Sequence, residues 1–260
     1  MEPLPSKSPP RGSVPIKAVV FDTFGTVCDF YSAFKRGFTQ LAEARGLECD
    51  PGELATAWRT AYLVATVSQA FTGSKFRPLW DINRDNLLQL VDDRYEIELT
   101  EKETHDMVTL WRTMDPWPDV VAGLSAIRGS AIVGPLSNGN FADMALLARH
   151  AGLPWDVILG SSLSRQYKPH PDTYLASVTA LGLQPEQVCM VAAHQHDLAF
   201  AAGHGMQTAF VPRPMEFGGP VKPADVEPGE RHLGAAEVHV EGDWTYVAQD
   251  FIDLATQIRS

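Results

Sequence analysis

The sequence has few cysteines and few basic residues. It contains three cysteines among 260 residues and no CxxC pair, so we expect no disulfide framework and a reducing, cytoplasmic setting. Its 21 lysines and arginines are outnumbered by 32 aspartates and glutamates, which gives a formal net charge of -11 at pH 7. Because such a charge repels polyanions, we expect neither nucleic acid nor an anionic membrane as a partner.

Long apolar runs are also absent. None approaches the ~20 residues that a membrane-spanning helix needs. Residues 1–14 are rich in proline, serine and basic residues and have no apolar segment of the kind found in secretory signals, which predicts a flexible tail. The length is sufficient for one large core or for a core with an insertion.

Strand-like and helical patterns alternate along most of the chain. Short apolar runs predict strands at 16–21, 131–136, 157–159, 188–193 and 208–211, and helical spacing predicts helices at 141–151, 172–181, 198–202 and 251–258. Between residues 32 and 114 the pattern is helical throughout. We therefore predict an α/β fold, a doubly wound and mostly parallel sheet formed by residues 15–31 and 115–260, with a helical cap inserted at 32–114.

Polar side chains follow four of the predicted strands. Because parallel strands end at the same edge of a sheet, these side chains are expected to converge there. The set combines carboxylates, a hydroxyl, an amide, an imidazole and an ammonium group. Its members are Asp22, Ser137, Asn138, Lys168, His194 and Asp197.

In this order, and with a helical block after the first aspartate, the motifs resemble the haloacid dehalogenase superfamily over nearly the whole chain after the tail. Its 2-haloacid dehalogenase branch, type II, is similar in two further respects. Phe24 supplies an aromatic residue two positions after Asp22, and the pair Trp58-Arg59 resembles a segment of the cap helix in that branch. The stretch 191–194, which ends in His194, resembles a subgroup with histidine in its fourth motif.

The resemblance implies a mechanism with a covalent intermediate. Asp22 is expected to attack the carbon that bears the halogen and to form an ester. Lys168 is expected to keep that carboxylate ionised. Water activated by Asp197, with or without His194, would then hydrolyse the ester, and the carbon would be inverted.

The same resemblance assigns the binding groups and the partners. The halide would be taken by Arg59 and Asn138, while Thr26 and Ser137 would bond the nucleophile or the substrate carboxylate, which the backbone after Asp22 would also cradle. The scheme needs no cofactor and no metal, its substrate is a small anionic haloacid, and relatives suggest a homodimer. The remaining residues expected to contact the substrate are Thr23, Phe24 and Tyr174.

Two other functions stay open. Phosphatases of the superfamily resemble Asp-x-Asp, in which the second aspartate protonates the leaving oxygen; Phe24 occupies that position and has no proton to donate. A metal-dependent phosphatase is therefore the enzymatic alternative, and a non-catalytic protein with this fold is the other. The sequence leaves open the preferred halogen, the enantiomer, and whether His194 or Asp197 activates water.

Overall fold

The fold is known from a computed structural model, which describes residues 14–221 and 234–259. The predicted N-terminal tail, residues 1–14, lies outside the described residues except for Val14. The strands in chain order are β1 (Ala18–Phe21), β2 (Cys28–Asp29), β3 (Asp115–Pro116), β4 (Ile132–Ser137), β5 (Leu159–Gly160), β6 (Val188–Ala192), β7 (Gln207–Phe210) and β8 (Tyr246–Val247).

Helices cover both faces of the sheet and build the inserted block. They are α1 (Phe30–Arg45), α2 (Pro51–Thr72), α3 (Leu79–Tyr95), α4 (Glu101–Thr109), α5 (Val120–Arg128), α6 (Phe141–Ala151), α7 (Ser161–Ser164), α8 (Pro171–Ala180), α9 (Gln195–Gly203) and α10 (Phe251–Arg259). No described helix is both long enough and apolar enough to cross a membrane.

The sheet has six strands in the order β5-β4-β1-β6-β7-β8, and its described pairings are all parallel. Strand β1 is buried along its whole length, as a strand between two others must be. The chain passes from β1 to β4 on one side and later to β6 on the other. The crevice at the carboxyl end of β1 is therefore the switch point where open α/β sheets bind ligands.

The inserted block is helical, as its spacing predicts. Asp29 caps α1 by accepting a hydrogen bond from the backbone N–H of Ser32 (2.9 Å), and Asp50 caps α2 in the same way. A short antiparallel ribbon, β2 with β3, joins the two chain connections next to the expected boundaries at 31 and 115. This ribbon was not predicted, because two residues are too few to show strand alternation.

An aromatic cluster packs the helical block against the sheet. The ring of Trp111 lies 4.7 Å from that of Phe34, 5.6 Å from that of Trp58 and 5.2 Å from that of Phe24, which follows β1. Tilted and edge-on aromatic pairs of this kind stabilise a core by ~1 kcal/mol each beyond the area that they bury. The indole N–H of Trp58 also donates to the carbonyl of Asn83, which links α2 to α3.

The sheet departs from its predicted pattern in two places. The strand predicted at 157–159 is observed at Leu159–Gly160, and β8 was not predicted. Both observed strands are two residues long and lie at the sheet edges, where side-chain periodicity is weakest.

Candidate active site

Asp22 follows β1 directly and lies at the bottom of the crevice. Its backbone N–H donates to the carbonyl of Val191, which continues the sheet pairing and fixes the carboxylate at the edge. Burial by itself raises the pKa of this carboxyl, but the charges and hydrogen bonds of Lys168 and His194 outweigh burial and hold its pKa well below the ordinary value. Asp22 is therefore an ionised carboxylate that is mostly shielded from water.

Lys168 links two carboxylates. Its Nζ lies 3.0 Å from Oδ1 of Asp22 and also donates to Oδ2 of Asp197. Burial lowers the pKa of Lys168, but the two carboxylates raise it by more than burial lowers it, so the ammonium group stays charged. The phenol of Tyr174 donates to the other oxygen of Asp197 at 2.6 Å, which holds that carboxylate in place. The predicted convergence of these groups is thus observed.

Thr26 connects the first turn to the neighbouring strand. Its hydroxyl donates to Oδ2 of Asp22 (2.8 Å) and accepts from the backbone N–H of Ala193 (2.9 Å). Because both bonds are buried, the hydroxyl orients Asp22 and does not line the cavity. The hydroxyl of Thr23 is also fully buried and has no hydrogen-bond partner.

His194 lies between two carboxylates. Its Nδ1 is 3.1 Å from Oδ2 of Asp22, and its Nε2 is 2.8 Å from Oε1 of Glu216. Burial lowers the pKa of this imidazole, but the charge of Glu216 and the hydrogen bonds to both carboxylates raise it well above the ordinary value.

Glu216 was not predicted from the sequence. It lies in an irregular segment after β7 and is 1% exposed, although no strand or helix pattern singles it out. The turn at Gly25 makes room for it, since a Cβ at that glycine would lie 2.1 Å from Oε1 of Glu216. The only signal in the sequence is a lone acidic residue among apolar and small neighbours.

A cavity of about 200 Å³ opens in front of Asp22, between the strand ends and α2. Its polar wall includes Lys168, Tyr174, His194 and Asp197. Helix α2 and its surroundings contribute an apolar wall, formed by Leu63, Val67, Phe71 and Phe200. The half-exposed imidazole of His196 also lines it. The space suits a small molecule with one apolar side.

Arg59 reaches this cavity from α2. Its guanidinium group contacts the rings of Tyr62 (4.7 Å) and Phe30 (5.1 Å), and Nη2 donates to the carbonyl of Phe24. The other two nitrogens, Nε and Nη1, are buried without a hydrogen-bond partner. A buried cation with unused donors is suited to bind an anion.

The other predicted binding residues lie around the cavity at different depths. Asn138 lines it, and its Oδ1 accepts from the backbone N–H of Lys168 at 2.8 Å. The hydroxyl of Ser137 is fully buried without a partner. The ring of Phe24 is 2% exposed and packs edge-on against Tyr62, so Phe24 meets the site through its carbonyl and not through the cavity wall.

No group of three or more His, Cys, Asp or Glu side chains is placed to hold a metal ion within residues 14–221 and 234–259. A larger cavity, about 780 Å³, lies on the helical block and is lined by Trp80, Leu88 and His105 among others. It is separate from Asp22, Lys168 and His194, whose pKa values are strongly shifted. We therefore place the candidate active site in the smaller cavity.

Comparison with models of protein families identifies the family to which this chain belongs. The model for haloacid dehalogenase-like hydrolases matches residues 16–205, which include Asp22, Lys168 and Asp197. The chain belongs to this family. The match spans the first strand, the helical block and the sheet as far as α9.

Individual relatives have more specific names. The (S)-2-haloacid dehalogenase of Xanthobacter autotrophicus is 28% identical over 76% of each chain. The solved structure of the defluorinating L-2-haloacid dehalogenase Rha0230 is 36% identical, covers 99% of this chain and 100% of its own, and superposes with a TM-score of 0.84. The L-2-haloacid dehalogenase PA0810 is 34% identical, covers 94% and 99%, and has a TM-score of 0.81.

Proposed function

We propose that this protein hydrolyses short 2-haloalkanoic acids to 2-hydroxy acids and halide, through an ester on Asp22. One observation supports this most directly. An ionised, buried carboxylate lines the same small cavity as Arg59, whose guanidinium group has two nitrogens without a hydrogen-bond partner. A nucleophile and an anion-binding group at one cavity are what a displacement with an anionic leaving group requires. The names of the relatives agree with it.

In the first step, an oxygen of Asp22 attacks the carbon bearing the halogen, a carbon–oxygen bond forms, and halide leaves with the bonding electrons. Oδ1 is the better candidate, because Oδ2 already contacts both Thr26 and His194. Lys168 keeps the carboxylate ionised before the step. The charge that develops on the halogen is stabilised by Arg59, with Asn138 as a second donor.

In the second step, water attacks the carbonyl carbon of the ester. Asp197 takes a proton from this water, and the alkoxide that leaves recovers it as the hydroxy acid departs. Tyr174 and Lys168 hold Asp197 for this role. Because only the first step breaks a bond to the substituted carbon, that carbon is inverted.

A metal-dependent phosphatase is the competing enzyme. It needs an acid for the leaving oxygen, and Phe24 has no proton to donate. In addition, Lys168 already bridges Asp22 and Asp197 through its ammonium group. Both observations favour the dehalogenase over the phosphatase.

The deciding experiment is halide release in the presence of a chelator. Fluoro-, chloro- and bromoacetate and both enantiomers of 2-chloropropionate are tested with the wild-type chain and with Asp22→Asn. We expect metal-independent halide release by the wild type and a loss of about 10⁴-fold or more in Asp22→Asn, since the nucleophile is removed. Asp81→Asn, in the first turn of α3 and outside the cavity, is the matched control. Phosphate release that requires magnesium, without halide release, would establish the phosphatase.

Four further expectations belong to this proposal. We propose that residues 15–31 and 115–260 act as the α/β core and residues 32–114 as a cap domain that covers the site. We also propose a homodimer, a cytoplasmic location and no nucleic acid partner. The acidic net charge supports the last of these.

A further inference from the structure

Glu216 is a buried carboxylate that contacts the site through His194. It is 1% exposed and contacts His194, which in turn contacts Oδ2 of the nucleophile Asp22. We propose that Glu216 is a positioning residue that keeps both ring nitrogens of His194 protonated, so that His194 donates to Oδ2 of Asp22 during ester hydrolysis and does not act as the base. This inference rests on the proposed function.

The first argument is the count of protons on the ring. A carboxylate only accepts hydrogen bonds, and His194 has a carboxylate next to each of its ring nitrogens. A neutral imidazole carries a single N–H and would leave one carboxylate facing a nitrogen lone pair. An imidazolium donates to Asp22 and Glu216 at once, which fits both distances.

The second argument is the balance of buried charge. Three carboxylates lie around the site: Asp22 and Asp197 contact the ammonium group of Lys168, and Glu216 contacts His194. Also near His194 are Glu237, which pairs with His196, and the His196 ring, 5.9 Å from that of His194. A protonated His194 brings these groups closer to neutrality, which burial strongly favours.

The third argument concerns the intermediate. When the ester forms, Asp22 loses its negative charge and no longer stabilises a cation at His194. Glu216 then remains as the carboxylate in contact with the ring. It is thus in the second half of the reaction that the charge of Glu216 decides the protonation of His194.

The chemistry of that step explains why a donor is needed. Water adds to the carbonyl carbon, the electrons of the C=O double bond move to Oδ2, and the proton of water passes to Asp197. The hydroxyl of Thr26 and the Nδ1–H of His194 both donate to Oδ2, so they stabilise the oxyanion. When the intermediate collapses, the alkoxide takes the proton from Asp197, and Asp22 returns to its ionised form by losing a proton to solvent.

The test that does not depend on turnover uses nitrogen NMR of labelled histidine. Asp22→Asn resembles the ester, because it keeps a carbonyl oxygen and lacks the charge. In this variant His194 should lose one of its two ring protons with a midpoint above the ordinary imidazole pKa of about 6.5. In Asp22→Asn/Glu216→Gln it should lose one proton with a midpoint at or below about 6.5. His194→Gln assigns the signals. Equal midpoints in the two variants would overturn the proposal.

The kinetic test separates the two half-reactions. In Glu216→Gln, kcat should fall about tenfold per pH unit above the lowered midpoint of His194, as its protonated fraction does. The ratio kcat/KM should stay near that of the wild type, because it reports ester formation, and the ester should accumulate on Asp22 in mass spectra. Glu216→Asp retains the charge and should restore a flat profile.

Two outcomes would contradict the inference. A loss of kcat/KM that is the same at every pH would assign Glu216 a structural role only. Effects of Glu216→Gln that equal those of Asp119→Asn would lead to the same conclusion. Asp119→Asn breaks the ion pair with Arg213 in the segment that carries Glu216, but Asp119 touches neither His194 nor the cavity. If no variant releases halide but the NMR result holds, the proposed function fails and the role of Glu216 at His194 stands.

Discussion

A single guanidinium group illustrates the trade of stability for binding that the proposed function implies. Arg59 is 4% exposed and leaves two of its three nitrogens without a hydrogen-bond partner. An unpaired buried donor costs about 1–3 kcal/mol of folding free energy. Under the proposed function, an anion, either halide or the substrate carboxylate, completes these donors.

Replacing Arg59 by methionine tests this trade. We expect kcat/KM for halide release to fall about 100-fold or more, about 3 kcal/mol of lost transition-state stabilisation. The unfolding temperature should stay the same or rise, because the unpaired donors are removed. Kinetics and calorimetry measure the two effects.

Arg112→Met is the matched control for that variant. Arg112 also stacks on an aromatic ring, with its Cζ 3.8 Å from the centre of the Trp80 ring. In addition, it forms an ion pair with Asp143 at 2.6 Å. Its replacement should lower the unfolding temperature and change kcat/KM far less. The reverse pattern, with Arg59→Met less stable and still active, would show that Arg59 serves packing.

Among the structural elements, the turn after β1 carries the most constraints. Gly25 has φ +97°, its N–H donates to the carbonyl of Cys28, and its carbonyl accepts from the indole of Trp117. The side chain of Glu216 occupies the space where a Cβ would lie. The turn therefore fixes Asp22 on one side and the carboxylate of Glu216, behind His194, on the other.

Gly25→Ala should be costly for two reasons. The left-handed backbone strains any side chain, and the new methyl group displaces Glu216. We expect a loss of about 3 kcal/mol in the free energy of unfolding, measured with urea, and a lowered His194 midpoint by NMR. Gly46→Ala is the control, because Gly46 has φ +64° but nothing within 4 Å of its missing Cβ. It should lose only about 1 kcal/mol. Equal losses of stability in the two variants would mean that the structure accommodates the new methyl group beside Glu216 at no extra cost.

For the whole molecule, three buried groups of the site contribute to the dependence of stability on pH. The folded pKa of Asp22 is lowered, so its contribution is present above about pH 4 and is lost as pH falls. The folded pKa values of His194 and Lys168 are raised, so their contributions are complete below about pH 6.5 and about pH 10.4, and are lost as pH rises through the folded values.

We therefore expect the free energy of unfolding to be greatest between about pH 4.5 and about pH 6.5. Above that range it should decrease by at most about 1.4 kcal/mol per pH unit for His194. The net charge of -11 acts in the same direction, but salt screens it. Urea titrations in about 0.5 M salt separate the two effects. The double variant His194→Gln/Glu216→Gln should lose the decrease; if the slope persists, His194 is not its source.

Much of the architecture could be predicted because it depends on local patterns. Helix α6 was predicted at 141–151 and is observed at Phe141–Ala151. Its end could be predicted because Gly152, which has a left-handed backbone, follows the last helical residue. The convergence of Asp22, Lys168 and Asp197 followed from the rule that parallel strands end at one edge. The two-residue strands could not be predicted, because periodicity needs more residues than they have.

The sequence by itself determined the order of the longer strands and of most longer helices, the family-like motifs and the placement of a carboxylate after the first strand, because each depends on neighbouring residues. Only the tertiary structure decided that Glu216 contacts His194 beside that carboxylate. Glu216 is 194 positions away from Asp22 along the chain, yet one imidazole ring separates them. Contacts of this kind depend on how segments pack, and no local pattern of a lone glutamate contains that information.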